Sequence, residues 1–309
     1  MVTYDNAGTR ITESIPPDDW RPTTASTAEL EFFGIPGRPS TSTALSSWLD
    51  EWGNHYSGVS LGVPCAPTVS VSAATNSHWA GQVATAGGYT EAYGTTEYNP
   101  GDTCGVSPDG YTNWVGLGGW LSGRLLQNGF IYGHTFGSHP FFEAINGGQD
   151  TGADFITFSF PYGTGDHFNI ATSYDPVTGV AHFGWHDIEA GRGGSVGMDV
   201  SVFATSGGIF PASNFYDSST GEAIDERPEV ISALGSPEFT TLRPFGHDTW
   251  TNATVSRNGG PRTAIRSEPH TGVEMYDGLG RKLVEESGSS SDLSLFQATW
   301  LNCGELDPA

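Results

Sequence analysis

Carboxylates crowd one short stretch, "GEAIDERPE" at residues 221–229: Glu222, Asp225, Glu226 and Glu229. Read as a β-strand, it puts Glu222, Ile224 and Glu226 on one face, because strand side chains alternate. Two like charges on one face raise at least one carboxyl pKa, which suits a general acid or base. A solvated acidic edge accounts for the same spacing. A second polar outlier sits in "GRLLQNGFIYG", residues 123–133, where Gln127 interrupts an apolar strand pattern. By alternation it shares a face with Leu125, Gly129 and Ile131. A primary amide in that setting needs hydrogen-bond partners or a cleft. Spacing alone does not connect Gln127 with Glu222.

Other chemistries fail on inspection. "GHTFGSH" and "AHFGWH" bring His134 near His139 and His182 near His186. On a strand His182 and His186 point the same way, but no carboxylate at diagnostic spacing completes a zinc site. No metal is expected. "GLGGWLSG" lacks the Lys and the following helix of a phosphate loop, and no G-x-S-x-G elbow occurs.

The elements that would position these residues are short strands. From about residue 76 the chain is punctuated by Gly, Asn and Pro, and "HFNIATSY", "VAHFGWHDI", "DFITFSF" and "GMDVSVFA" alternate apolar with polar residues. "YDPVTG" (174–179) reads as a turn, and "LFQATWL" as a final strand after the polar loop 286–294. Many short alternating strands with regular turn signals predict an all-β, antiparallel two-sheet sandwich. Residues 1–40 read as irregular. In "STSTALSSWLDEWG", Leu45, Trp48, Leu49 and Trp52 follow helical spacing, which predicts one helix near 42–52. That helix either docks on the domain through its tryptophans or covers a cleft. The expected organisation is an N-terminal extension over 1–75 and a sandwich domain over 76–309.

Bulk composition narrows the function classes. Across 309 residues, 35 acidic side chains face 12 basic ones, for a formal charge of −23 at pH 7. With so few cations the chain is no general nucleic-acid binder, and an anionic membrane surface would repel it. Few native carboxylates can be held by ion pairs, so protonating them costs little, as suits a protein exposed to acid. No stretch is long and apolar enough to span a membrane, and no signal core follows Met1. Of three cysteines, Cys65 and Cys104 could bridge, contributing roughly 4 kcal/mol on chain-entropy grounds. Free buried thiols, with Cys303 as a third, fit equally. Asn252-Ala-Thr254 fits an N-glycosylation sequon.

From Asn76 onward the chain resembles the glutamic peptidases, the eqolisin family. "NSHWAGQVATAGGYTEAYGTTEYNP" (76–100) is similar to the family's opening strands, and "NWVGLGG" (113–119) to Trp-Val-Gly-Ile-Asp-Gly. "LLQNG" resembles Leu-Gln-Thr-Gly, "FFEAINGG" (141–148) Trp-Tyr-Glu-Trp-Tyr-Pro, and "GDHFNIATSYDPVTGVAHF" a Gly-Asp-Ser-Ile strand pair. "GEAIDERPE" is similar to Ala-Glu-Trp-Ile-Val-Glu, and "LRPFGHDTWTNATV" (242–255) to Phe-Gly-x-Val-x-Phe-x-Asn-Ala. The order and spacing of these matches are independent constraints that agree.

The resemblance implies a jelly-roll-like or concanavalin-like sandwich with a groove on its concave face. It implies a catalytic Gln/Glu dyad, Gln127 and Glu222, acting through water on polypeptide substrates at acidic pH, without metal or cofactor and insensitive to pepstatin. A Glu of ordinary pKa would be the base and the Gln amide would orient the water. Trp79, Gly81, Trp114 and Glu143 would contact substrate, with Gly129 leaving room for its backbone; Trp79 and Trp114 could equally be core residues. A secreted, monomeric endopeptidase is expected, with residues 1–75 a removable propeptide or a permanent part. An inactive sandwich serving as a binding module, for a protein or a carbohydrate, is the alternative. Three departures stand out: Gly118 replaces the family's Asp, and Ala144 and Ala223 replace aromatics, which would thin the lining of the groove.

Overall fold

Alternation of apolar and polar residues, with Gly and Asn at the reversals, makes almost every described element a strand. The computed structural model describes residues 2–4, 10–14, 23–32, 38, 40, 45, 74–76, 78–105, 109–120, 124–133, 137–146, 149–150, 154–200, 204–205, 208–209, 219–227, 229–231, 237–239 and 241–304. First come β1 (Val2–Tyr4), β2 (Arg10–Ser14), a short helix α1 (Thr27–Phe32) and β3 (Ala74–Asn76). Next are β4 (Trp79–Ala84), β5 (Tyr89–Glu97), β6 (Asp109–Gly118), β7 (Arg124–Gly133), β8 (Gly137–Asn146), β9 (Gln149–Asp150) and β10 (Asp154–Phe155). There follow β11 (His167–Asp175), β12 (Val180–Asp187), β13 (Arg192–Asp199), β14 (Ala204–Thr205) and β15 (Gly208–Ile209). Then β16 (Gly221–Glu226), β17 (Glu229–Ile231), β18 (Pro237–Phe239) and β19 (Thr241–Leu242) lead to β20 (His247–Arg257). The last are β21 (Arg262–Ala264), β22 (His270–Tyr276), β23 (Lys282–Gly288) and β24 (Phe296–Trp300).

Two sheets result. The back sheet runs β1–β2–β13–β12–β11–β5–β20–β21. The other, here the site sheet, runs β10–β8–β7–β6–β16–β4–β22–β23–β24–β20. Pairing is antiparallel apart from β3 on β22 and β19 on β6. Strand β20 belongs to both sheets: His247–Trp250 pair with β24, and the remainder with β5 after a register shift. Asn252 sits in that shift at φ 52°, a left-handed conformation that asparagine tolerates better than most residues and that β-bulges use.

Between the sheets, one face of the site sheet contributes Val115, Leu117, Leu126, Phe130, Phe142, Ala144 and Ala223. Phe168, Phe183, Trp185 and Trp250 meet them there. The opposite, outer face carries a separate apolar cluster of Val83, Trp114, Leu125, Ile131, Phe141, Ile224 and Val273, with Trp79, Trp120 and Ile145 packed against it. The all-β sandwich is therefore as expected, as are the turn at 175–179 and the final strand. "DFITFSF" is hydrogen-bonded as a strand only at β10, yet Ile156, Phe158 and Phe160 are still buried in alternation.

Residues 1–40 are not uniformly irregular. Strands β1 and β2 form a hairpin that extends the back sheet, Ile11–Ser14 pairing with Ser195–Met198. Helix α1 has a capping box: Glu29 N–H donates to Ser26 Oγ at 3.2 Å, and the Glu29 carboxylate accepts from Ser26 N–H at 2.8 Å. Pro and Thr clusters hid both elements. The helix expected near 42–52 lies outside the described residues except for Leu45, which is helical. The disulfide joins Cys104 to Cys303, with Cα atoms 6.0 Å apart, not Cys104 to Cys65. The end of the chain returns beside β19, where Leu242 N–H donates to the Cys303 carbonyl at 2.8 Å.

Candidate active site

Strands β16, β6, β7 and β8 are consecutive neighbours, and their register sets Glu222, Gly116, Gln127 and Glu143 in one row. With strands about 4.8 Å apart, the Cα atoms of Glu222 and Gln127 stand roughly 10 Å apart across Gly116, all on the outer face. Glycine at the centre is required by crowding. A Cβ on Gly116 would come within 2.6 Å of the Trp114 ring and 2.8 Å of the Leu126 carbonyl oxygen. Residues distant in sequence are thus brought together by strand order alone.

Glu222 is 0% exposed and Gln127 4% exposed. Glu222 Oε1 accepts from the Thr220 hydroxyl at 2.6 Å and from the Trp120 backbone N–H at 3.0 Å. The turn that delivers Trp120 is built on Gly118 and Gly119, at φ 91° and 88°, which strongly favours glycine. A Cβ on Gly119 would stand 3.1 Å from Glu222 Oε2 and from the Trp79 ring. Burial pushes the Glu222 carboxyl up to about 8; the Thr220 and Trp120 bonds oppose this, and Glu226 on the same face adds to it. The expectation of an ordinary pKa is therefore corrected, because this carboxyl is desolvated. Gln127 Nε2 donates to Glu143 Oε2 at 2.5 Å. Among the described residues, Glu222 Oε2 and Gln127 Oε1 are buried without a hydrogen-bond partner.

The surrounding walls are aromatic. Trp79 meets Trp114 edge-on with ring centroids 5.7 Å apart, and Trp120 lies 6.4 Å from Trp79. Trp114 is fully buried, its Nε1 donating to Glu226 Oε2 at 3.1 Å. Gly129, read as leaving room for a substrate backbone, and Gly81, read as a substrate contact, are both places of close strand approach. A Cβ on Gly129 would stand 1.9 Å from the Asn113 carbonyl oxygen, and one on Gly81 2.3 Å from that of Ala223. Ala144 and Ala223 do not thin the groove either: strand parity turns both toward the inter-sheet core. Gly118 anchors the turn over Glu222, its N–H donating to the Thr220 carbonyl at 2.8 Å; its own carbonyl, 3.0 Å from the Thr220 hydroxyl oxygen, is the other acceptor within reach of that single hydroxyl proton.

Three solved structures share this architecture. Scytalido-glutamic peptidase with a peptide-based transition-state analogue matches with TM-score 0.57 at 17% identity, over 73% of this chain and 98% of that one. The same peptidase with a transition-state analogue inhibitor gives 0.58 at 15%, with the same coverage of each chain. SCP-B, described as a member of the eqolisin family in complex with the tripeptide Ala-Ile-His, gives 0.56 at 17%, again over 73% and 98%. The fold is that of the glutamic peptidases. At this identity the eqolisin fold is what is shared. No family model matches the sequence, and no curated protein matches it.

Within the eqolisin fold, three contributors were not singled out from sequence: Thr220, Gly119 and the Trp120 backbone. Thr220 was accessible, since it lies two residues before Glu222 on the same strand face. The other two depend on a turn whose path sequence does not specify. His182 and His186 share a face of β12; His186 is buried, and its pKa is pushed down to about 3 by desolvation, so the ring is neutral. No group of three His, Cys, Asp or Glu among the described residues could hold a metal ion.

Proposed function

We propose that the protein is an acid-active glutamic endopeptidase in which Gln127 and Glu222 act on one water. The observation that carries this reading is the row Glu222–Gly116–Gln127, with one partnerless buried oxygen at each end. A water between them would donate to Gln127 Oε1 and to Glu222 Oε2, which supplies the partners a buried water requires. Ionised Glu222 takes one proton as the oxygen attacks the scissile carbonyl, and protonated Glu222 then returns it to the departing amine. The Glu143 carboxylate takes one Gln127 N–H and fixes the amide orientation; the second N–H is left for the developing oxyanion. A fully covered Glu222 is neutral in acid, so we propose that this site is a resting form and that exposure to water restores an ordinary carboxylate. A cut near residues 60–76 remains the proposed processing step, with the β1–β2 hairpin staying on the back sheet; the substrate class is polypeptide, and the disulfide favours a secreted setting.

Cleavage of an unfolded protein substrate across pH 2–7 tests the reading, with wild type, Gln127→Ala and Glu222→Gln, each pre-incubated near pH 4 and followed by mass spectrometry. We expect an acidic optimum, a loss of roughly 10²–10³ in kcat for Gln127→Ala, still less activity in Glu222→Gln, and no effect of pepstatin. Undiminished activity in Glu222→Gln would sink the mechanism. The sealed dyad favours one other reading, an inactive sandwich used as a binding module, and a folded wild type that stays inactive after acid treatment would select it.

A further inference from the structure

On the inner face of β16, behind Glu222, a second carboxyl enters the core. Asp225 is fully buried, and so is Asp248 of β20. Burying one unpaired carboxylate costs several kcal/mol, and burying two side by side costs more.

The neighbours do not neutralise the pair. Asn113 of β6, Asn99 after β5 and the Trp250 indole lie close enough to act on it. Yet among the described residues no aligned hydrogen bond reaches any of the four carboxyl oxygens, either side-chain polar atom of Asn113, or Trp250 Nε1. The Asn99 amide donates instead to the Phe245 carbonyl at 2.6 Å. Tyr111 of β6 and Tyr132 of β7 are buried phenols whose pKa values burial raises further, so both are neutral. Glu97 adds a like charge to Asp248. Arg243 acts on Tyr111, but its guanidinium lies 3.8 Å from Asp109. What the pair lacks is a donor, and a proton held between the two acids is one.

We propose that Asp225 and Asp248 form an acid-dependent latch, a pair of protonated carboxyls that ties β16 to β20 and loosens as the medium becomes neutral. Strand β16 carries Glu222, so the latch ties integrity of the site sheet to acidity. Desolvation first, then the charge of Asp248 on Asp225 and of Glu97 on Asp248, hold both carboxyls above the usual range, while the Asp225 contact pulls Asp248 the other way. Asp225 is held well above it, and Asp248 at about 7. Asp225 is the donor and Asp248 the acceptor; as pH rises, Asp248 gives its proton to solvent and leaves a net charge in the core. An unfolded carboxyl ionises near 4. Below that value the contribution is fully present; from there to about 7 the folded chain keeps both protons that the unfolded chain gives up, and above 7 Asp225 still keeps one, so stability declines through both stretches.

Urea unfolding of the full chain between pH 4 and 8 tests this, with wild type, D225V/D248V and D248N. The wild-type folded-to-unfolded ratio should fall with pH by up to about a hundredfold per unit more than that of the double valine variant between about pH 4 and 7, one factor of ten for each retained proton, with D248N between them. Infrared spectra at pH 6 should show a protonated aspartic acid carbonyl band in wild type that weakens in D248N. Equal slopes in wild type and variants, or no change in that band, would overturn the latch. Should the double variant not fold, the D248N slope and the band decide. None of these readings depends on peptidase activity, so the latch and the proposed function can fail separately.

Discussion

At the residue scale, Glu222 serves as a base only when ionised, and its two hydrogen bonds are what favour ionisation against burial. The Thr220 hydroxyl donates to it at 2.6 Å, and bonds to a charged acceptor are worth about 1.5–3 kcal/mol. Thr220→Ala removes that donor while leaving the chain's backbone geometry in place. The folded pKa of Glu222 should then rise by about 1–2 units, and the ionised fraction at any pH below it should fall about 10–100-fold. A pH–rate profile reads this as an upward shift of the basic-form limb, with KM little changed. A shift in the opposite direction would mean that the Thr220 hydroxyl stabilises the neutral acid instead.

At the element scale, catalytic geometry is inherited from strand order. Gly116 lets β6 pass between β16 and β7 with the Trp114 ring laid across the gap. Gly116→Ala forces that ring or the Leu126 carbonyl to move, and overpacking of this kind costs about 1–3 kcal/mol. Urea melts should show that loss, and kcat should fall together with stability because the ring lies between the two dyad strands. The β1–β2 hairpin makes a different prediction. It extends the back sheet along β13, so a cut near residues 60–76 should leave it bound. Size-exclusion chromatography after acid incubation should then recover a fragment containing residues 2–14 with the domain. A fragment that separates freely would show that β13 tolerates an open edge, which otherwise invites association.

At the scale of the whole molecule, the disulfide Cys104–Cys303 closes nearly two-thirds of the chain, across a sequence separation of 199. On chain-entropy grounds it contributes about 5 kcal/mol, so Cys303→Ser should lower Tm by about 10 °C in differential scanning calorimetry. Acidity acts on the whole fold as well. Glu286, buried and bonded to Gln82 Nε2 at 2.6 Å, is pushed up to about 7 chiefly by desolvation, and Glu222 to about 8. Raised carboxyl pKa values stabilise the folded chain in acid and lose that contribution as pH climbs through them. Melts of D225V/D248V should therefore keep a residual decline between pH 4 and 8, with the maximum of stability near pH 4.

The sequence by itself determined what alternation and turn chemistry control: the strand-rich class, the shared face of Glu222, Ile224 and Glu226, and that of Gln127 with Leu125 and Ile131. Parity also held the answer for Ala144 and Ala223, whose neighbours Glu143 and Glu222 face outward. What only the tertiary structure decided was everything that depends on which strand lies beside which. The placing of Gly116 between Glu222 and Gln127, the filling of the space at Gly129 by the Asn113 carbonyl, and the pairing of Cys104 with Cys303 follow from long-range strand order, which local periodicity does not encode. The same holds for the pKa of Glu222. A carboxyl's charge state is set by the water it loses, and a linear sequence does not show which side chains exclude that water.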